Sequence, residues 1–375
     1  MSQVIPGKII GIVGDTMRIQ TMILAGKQYG YDMYCYHNHE LGRFKQADQE
    51  FIGEYQDKVA LLDFCERVDA LFIATPYIEI ELRYLMSSKT QYFQSFELAE
   101  ISQNLIVEKL FLENLQINVA PYSLVSTIDE LPSAIESIGF PAILEENKKR
   151  EMHYPPMTLL DNDLEPAVYD MIKAAPCMIK AIVPVKRHFT ISVVRDFDGQ
   201  VDVFPITEDV YIGNRLQFSI VSKGMNPKWT IELKRIAYQI MDSLSGVGIV
   251  TVQVILASNG IFYVEKVTMQ PVVQHDFNQR QLGLSMNQLL VKTATGLPIS
   301  LQKIDQEMLM IPIYPYMLGK MNLLNLIKPE WDFEYYTNTS QYEEEVIGIL
   351  RLTGESHIDL MNEIETCDLF YNEHR

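Results

Sequence analysis

Short apolar runs alternate with amphipathic ones over the first hundred residues. Ile9–Val13 reads as a strand, Gly14-Asp15 as a turn, and Arg18–Tyr29 repeats apolar positions at helical spacing until Gly30. A second strand is predicted at Met33–Tyr36, a helix at Lys58–Glu66 and a third strand at Ala70–Ala74. Strand–helix–strand order at this spacing implies a parallel sheet with crossover helices, which we place over residues 1–98.

The pattern then changes. A long helix is predicted at Leu98–Leu115, and Thr127-Ile128-Asp129-Glu130 has the spacing of a capping box. Phe140–Leu144 reads as a buried strand. Asp198-Gly199 joins the runs Phe189–Val194 and Val201–Ile206, and Asn259-Gly260 joins Val250–Leu256 and Ile261–Val267, both as hairpins. Between them Thr230–Leu244 is an amphipathic helix, with Gly246 and Gly248 beyond its end. Residues 99–298 are therefore expected to be antiparallel α+β. Leu297-Pro298 leads into a smaller unit, 299–375, with strands near Met308–Pro312 and Val346–Leu352. No internal repeat or low-complexity tract is visible.

Length fits two or three domains rather than one core, and 47% hydrophobic with 21% charged residues is ordinary for a globular chain. The start, MSQVIPGKII, lacks a basic segment followed by an apolar run, and no apolar stretch approaches the ~18 residues of a membrane span, so a cytoplasmic protein without membrane contact is expected. The four cysteines, Cys35, Cys65, Cys177 and Cys367, are scattered and form no CxxC pair, which fits a reducing compartment. A net charge of −18 sets the protein against nucleic acid as a partner.

Isolated motifs say little about chemistry. Gly11-Ile12-Val13-Gly14 follows a strand as a dinucleotide fingerprint does, yet Asp15 would repel phosphate, so we read an ordinary strand-to-helix turn. His37-Asn38-His39-Glu40 lacks the partners of a metal site and reads as a solvent-exposed loop. Lys148-Lys149-Arg150, ahead of Glu151, His153 and Pro155-Pro156, reads as a surface loop. GxSxG, HExxH and Walker loops are absent from the sequence.

Taken together, the framework positions are more informative. Gly11 to Gly14 with Ala25, Lys27, Gly30 and Tyr31, Ser102-Gln103-Asn104 with Glu108-Lys109, and Phe140-Pro141-Ala142-Ile143-Leu144 form one set. Phe204-Pro205, Ser219-Ile220-Val221 and Thr295-Gly296-Leu297-Pro298 complete it. In that order they resemble the 5-(carboxyamino)imidazole ribonucleotide synthase family, ATP-grasp ligases of purine biosynthesis, over nearly the whole chain. The resemblance implies an α/β architecture: an ATP-grasp fold with a Rossmann-like N-terminal parallel-sheet domain and a small C-terminal domain packed back on it. It also implies a homodimer.

The positions that the resemblance makes functional carry other residues. The lysine that holds ATP phosphates falls at Glu145, and the glycine-rich lid at Glu146 to His153 has no glycine. An arginine near the phosphates falls at Leu105, the adenine-side glutamate at Lys180, the ribose glutamate at His188 and a nucleotide histidine at Gln217. The two magnesium carboxylates fall at Gln253 and Lys266, beside Glu265 in place of an asparagine. On the substrate side, Arg-Pro-His-Asn-Ser becomes Gln270-Pro271-Val272-Val273-Gln274, and the phosphate-holding lysine and arginine fall at Asn338 and Glu345, beside Glu343-Glu344. The glycine-rich loop of the first domain retains Gly14 alone, and the acidic segment after the third strand becomes Ile73-Ala74-Thr75-Pro76-Tyr77.

Two unit charges about 4 Å apart interact by roughly 4 kcal/mol at an effective dielectric of about 20, so exchanging a lysine for Glu145 swings a phosphate contact by more than its whole attraction. Magnesium wants hard anionic oxygens, and an amide and an ammonium are poor replacements. The expectation is a divergent homologue without ligase activity and without a cofactor, acting on a protein partner or a different small ligand. The alternative is an active ligase that uses Mg-ATP to carboxylate aminoimidazole ribonucleotide with bicarbonate. A third reading is a scaffold without a ligand. Lys180, Lys266, His188 and Lys148–Arg150 would give a re-purposed cleft a basic side; an inert interior is the other outcome, and the sequence leaves both open.

Overall fold

A computed structural model describes residues 2–16, 18–39, 42–148, 154–269, 272–302, 306–336, 344–367 and 369. Lys149, Arg150, Glu151, Met152, His153, Gln270, Pro271, Asn338 and Glu343 lie outside the described residues.

The N-terminal part is a five-stranded parallel sheet in the order β3-β2-β1-β4-β5. Its strands are β1 (Ile9–Val13), β2 (Asp32–His37), β3 (Gln49–Ile52), β4 (Ala70–Ile73) and β5 (Gln91–Tyr92). Strand alternation sorts the side chains. Ile10, Ile12, Met33, Cys35 and Phe72 face one core with the helix Arg18–Gln28, while Val13, Tyr36, Leu71 and Ile73 face another with the helix Lys58–Glu66. The glycines of the β1 turn answer to packing. A Cβ on Gly11 would stand 2.9 Å from both Val68 methyls, and Gly14, at φ +153°, lies against Ala74. His37 departs from the expected exposed loop. It closes β2 fully buried, with its ring edge on Phe44 at 5.0 Å, while Asn38 beyond it is exposed and His39 partly so.

The predicted helix Leu98–Leu115 is two helices, Phe96–Gln103 and Leu105–Asn114. Asn104 breaks it by adopting extended backbone, capping Val107 N with its own side chain and bridging to Lys148. The expected capping box at Thr127 does not form, since its side chain makes no cap; a single 3₁₀ turn follows, and Glu130 instead accepts from Ser126 N at 2.7 Å. A complete box stands at Ser285 and Gln288, opening the helix Met286–Thr295.

A four-stranded antiparallel sheet follows, in the order β6-β9-β7-β8, from β6 (Tyr122–Val125), β7 (Ala142–Glu146), β8 (Met157–Leu159) and β9 (Cys177–Ala181). It packs on the helices Leu131–Ile138 and Pro166–Ala174. The large antiparallel sheet has nine strands. Its members are β10 (Val185–Arg195), β11 (Val201–Val203), β12 (Thr207–Ile212), β13 (Arg215–Val221), β14 (Gly248–Ala257), β15 (Phe262–Thr268), β16 (Glu307–Ile313), β17 (Asp332–Tyr335) and β18 (Gly348–Gly354). The predicted hairpins form at Asp198-Gly199 (β10–β11) and Asn259-Gly260 (β14–β15). The predicted strand Val346–Leu352 begins two residues later than expected.

Beyond Leu297-Pro298 the chain does not start a separate sheet. β16 pairs with β13, so the C-terminal strands extend the large sheet. Met308, Met310 and Ile349 share a core with Ile10, Ile12 and the helix Met286–Thr295, which packs the last stretch of chain against the first.

Candidate functional site

Alternation along β10 gives the large sheet two different faces. Phe189, Ile191 and Val193 pack into the apolar core beneath the helix Pro227–Asp242. His188, Thr190 and Ser192 point the other way. Register then assembles a polar field on that second face: Thr190 lies opposite Gln253, Ser192 opposite Thr251, and His188 opposite Asp209. Gln253 lies in turn opposite Lys266.

His275 is seated on this field, fully buried. Its Nε2 lies 2.9 Å from the Thr190 carbonyl, which only a ring N–H can satisfy, so Nδ1 accepts from the Ser192 hydroxyl at 2.8 Å. Ser192 is 2.8 Å from the Thr251 hydroxyl. Burial pushes His275 down to about 3, so the ring is neutral. Asp209, also fully buried, accepts from the Thr190 hydroxyl at 2.6 Å, and burial pushes its carboxyl up to about 6. Beside them Tyr211 accepts from Gln274 Nε2 at 2.8 Å and lies 4.8 Å from the His188 ring.

The raised carboxyl of Asp209 makes a prediction. A group at about 6 folded and 3.8 unfolded contributes stability below pH 3.8 and loses it as pH rises through 6, about 3 kcal/mol in all. Asp209→Asn should therefore stabilise the protein by about 2–3 kcal/mol at pH 7 and by almost nothing at pH 4. Urea unfolding at the two pH values checks this; equal effects at both would contradict it.

Six of the residues singled out in the sequence fall in three pairs. Gln253 and Lys266 face each other across β14 and β15. Glu145 and Lys180, on neighbouring strands β7 and β9, form an ion pair at 2.5 Å. His188 lies 3.6 Å from Glu265. Two of the groups expected to give a basic side are thus matched by carboxylates, which departs from that expectation. Leu105 is buried at the helix break, donating its amide to the Asn147 carbonyl at 2.9 Å, and Gln217 is buried on β13, 3.4 Å from the Arg215 carbonyl. Glu345 is half-buried ahead of β18. Among the described residues, no group of three or more His, Cys, Asp or Glu is gathered as a metal site requires, and no helix is long and apolar enough to cross a membrane.

Sequence reasoning missed the residues that join the parts. Arg351, 2% exposed, reaches Asp276 at 3.4 Å, Asp332 at 3.2 Å and Glu334 at 2.6 Å. Arg18 from the first helix and the Tyr336 hydroxyl meet the same Asp276 carboxylate. A lone arginine inside the apolar run Gly348-Ile349-Leu350-Arg351-Leu352 was the available signal. Glu108 and Lys109, which the sequence did mark as framework residues, are also buried, binding Val267 N at 2.6 Å and the Glu265 carbonyl at 2.8 Å, and so tie the helix Leu105–Asn114 to β15.

Comparison with known proteins agrees with this architecture. Residues 110–274 match the ATP-grasp domain family. The chain is 24% identical over 295 residues to an N5-carboxyaminoimidazole ribonucleotide synthase of Bacillus subtilis (strain 168), covering 78% of each. It is 23% identical over 355 residues to the enzyme of that name from Staphylococcus aureus (strain COL), covering 91% of each. Among solved structures, an ADP complex of an N5-carboxyaminoimidazole ribonucleotide synthetase superimposes with a TM-score of 0.91 at 20% identity, covering 100% of both chains. The Staphylococcus aureus enzyme complexed with ADP gives 0.88 at 19% identity, covering 98% of both. The fold is therefore the ATP-grasp fold, with a parallel sheet ahead of it.

Proposed function

We propose that this chain, an ATP-grasp homologue of the N5-carboxyaminoimidazole ribonucleotide synthases of purine biosynthesis, no longer performs ATP-dependent carboxylation and serves as a binding or regulatory protein. One observation carries the reading: Gln253 and Lys266 face each other in register at the two places where the resemblance puts magnesium carboxylates. An ammonium repels the ion, and an amide oxygen offers no charge to hold it. Without the metal, the phosphates lose the charge that stabilises transfer.

The phosphate side supports the same reading. Glu145 stands where the resemblance puts a phosphate lysine, and it engages Lys180 at 2.5 Å. The two have exchanged sign relative to the family's lysine and glutamate, so their mutual attraction survives while the lysine's grip on phosphate does not. A cytoplasmic homodimer belongs to the same reading, by resemblance.

Phosphate release in a mixture of aminoimidazole ribonucleotide, bicarbonate, ATP and magnesium tests it. Release should equal that of the protein-free mixture. Stoichiometric release dependent on all four components would instead establish the ligase reading.

A further inference from the structure

We infer that the carboxyl end of the five-stranded sheet holds a separate site for a small oxyanion, built by His37, Arg43 and Tyr55. Each presents a buried polar atom without a partner among the described residues: His37 Nε2, Arg43 Nε and the Tyr55 hydroxyl. Buried donors are nearly always satisfied in folded proteins, so three in one neighbourhood call for an explanation.

All three can donate. His39 N donates to His37 Nδ1 at 3.3 Å, so the ring proton sits on Nε2. Burial holds His37 below its ordinary range, so the ring is neutral and Nε2–H is its one donor. Arg43 spends Nη2 on the Asp15 carbonyl at 2.9 Å, which aims the guanidinium toward the β1 turn and leaves Nε–H unmet. The Tyr55 hydroxyl lies near Asn38 N–H but outside hydrogen-bond geometry.

The three belong to one place. His37 and Arg43 pack on the same Phe44 ring, at 5.0 and 5.9 Å. The charge of Arg43 acts on both His37 and Tyr55. Tyr55 stacks on Tyr77, 6.2 Å away in the turn after β4. The residues thus gather beyond the ends of β1 to β4, the edge at which open parallel sheets take their ligands. Among the described residues the carboxylates of Asp15 and Glu50 act on the same groups, and each has a partner of its own. Glu50 accepts from Gly42 N and Phe44 N, and Asp15 faces His39 Nε2 at 3.5 Å. Three donors lacking an acceptor fit a group rich in oxygen lone pairs, a carboxylate or a phosphate. The resemblance assigns a role to none of the three side chains, although it places functional segments on the same edge at the β1 turn and at Ile73 to Tyr77, and the site does not depend on whether the ATP-grasp cleft is active.

Thermal unfolding tests the site with orthophosphate and with acetate, each against sodium chloride at equal ionic strength. The chloride control is needed because a chain of net charge −18 responds to screening alone. At least one anion should raise the midpoint by several degrees beyond chloride, and which one does so identifies the tetrahedral or the planar group. Arg43→Leu should remove that excess. Tyr55→Phe should leave the anion-free midpoint equal or higher and weaken anion binding by ~5-fold or more. Curves that coincide with chloride, or an excess unchanged in both variants, would overturn the inference. So would a Tyr55→Phe midpoint several degrees lower without anion, since the hydroxyl would then already have a partner.

Discussion

Replacing Arg351 by methionine should destabilise the protein by about 3–5 kcal/mol, the usual cost of removing one partner from a buried charge cluster. The guanidinium is 2% exposed and answers three carboxylates, at 3.4 Å from Asp276, 3.2 Å from Asp332 and 2.6 Å from Glu334. Its Nε also donates to the Asp276 carbonyl at 2.5 Å. Methionine fills similar volume, so the loss is electrostatic rather than a cavity. Among the described residues Arg18, 3.4 Å from Asp276, is the one other cation paired with this cluster and cannot serve Asp332 and Glu334 as well. Burial and the charge of Asp276 already push Glu334 up. Without the arginine the Glu334 carboxyl should rise further, so the deficit is largest at neutral pH and shrinks as that group takes up its proton. Restoring balance by adding Asp332→Asn and Glu334→Gln should recover a substantial part of the loss. Fluorescence of Trp331, buried beside this sheet in the C-terminal core, reports the transition. A variant within 1 kcal/mol of the parent, or a deficit independent of pH, would contradict this account.

The second large effect is the acid sensitivity that His275 confers. The ring titrates near 6.5 when unfolded and at about 3 when folded. Because the folded value is depressed, the unfolded chain takes up the proton first, and stability falls as pH drops from 6.5 toward 3. By pH 4 the loss is about 3 kcal/mol. Asp209 acts in the opposite sense through much of the same window, gaining stability as pH falls from about 6 to 3.8. The two slopes largely offset each other in the parent protein. His275→Gln keeps an acceptor for Ser192 and a donor for Thr190 but cannot be protonated. It should be less stable than the parent by about 1–3 kcal/mol at pH 7, and equal or more stable near pH 4. Parallel stability curves for parent and variant would mean that His275 is protonated in both states or in neither.

How much of this was legible depends on which physical signal each feature leaves. Short apolar runs located β1, β2 and β4, because a parallel strand covered on both faces is apolar almost throughout, and the turns Asp198-Gly199 and Asn259-Gly260 located the two hairpins. The break at Asn104 was hidden, since an asparagine inside an apolar periodic run looks helical until Lys148 arrives as its bridge partner. His37 misled for a related reason. A polar residue at a strand end reads as loop, and the return of Phe44 over the ring lies outside what the local pattern shows. Framework glycines and helix ends carried the fold because turn geometry restricts residue type. Gln253 and Lys266 were identified separately by resemblance, and register then brought them face to face. Asp209, His275 and Arg351 went unnoticed because their partners are 17 to 85 residues away in sequence.

Thermal unfolding with and without millimolar Mg-ATP tests the central claim most directly, since it asks about the cleft and not about any one reaction. A ligand that binds only the folded state at about one hundred times its dissociation constant adds roughly 2.7 kcal/mol, a shift of several degrees. With Lys266 opposite Gln253 and Glu145 engaged by Lys180, the midpoint should not move. A rise of several degrees that requires magnesium would contradict the account and make this chain a nucleotide-binding ATP-grasp protein.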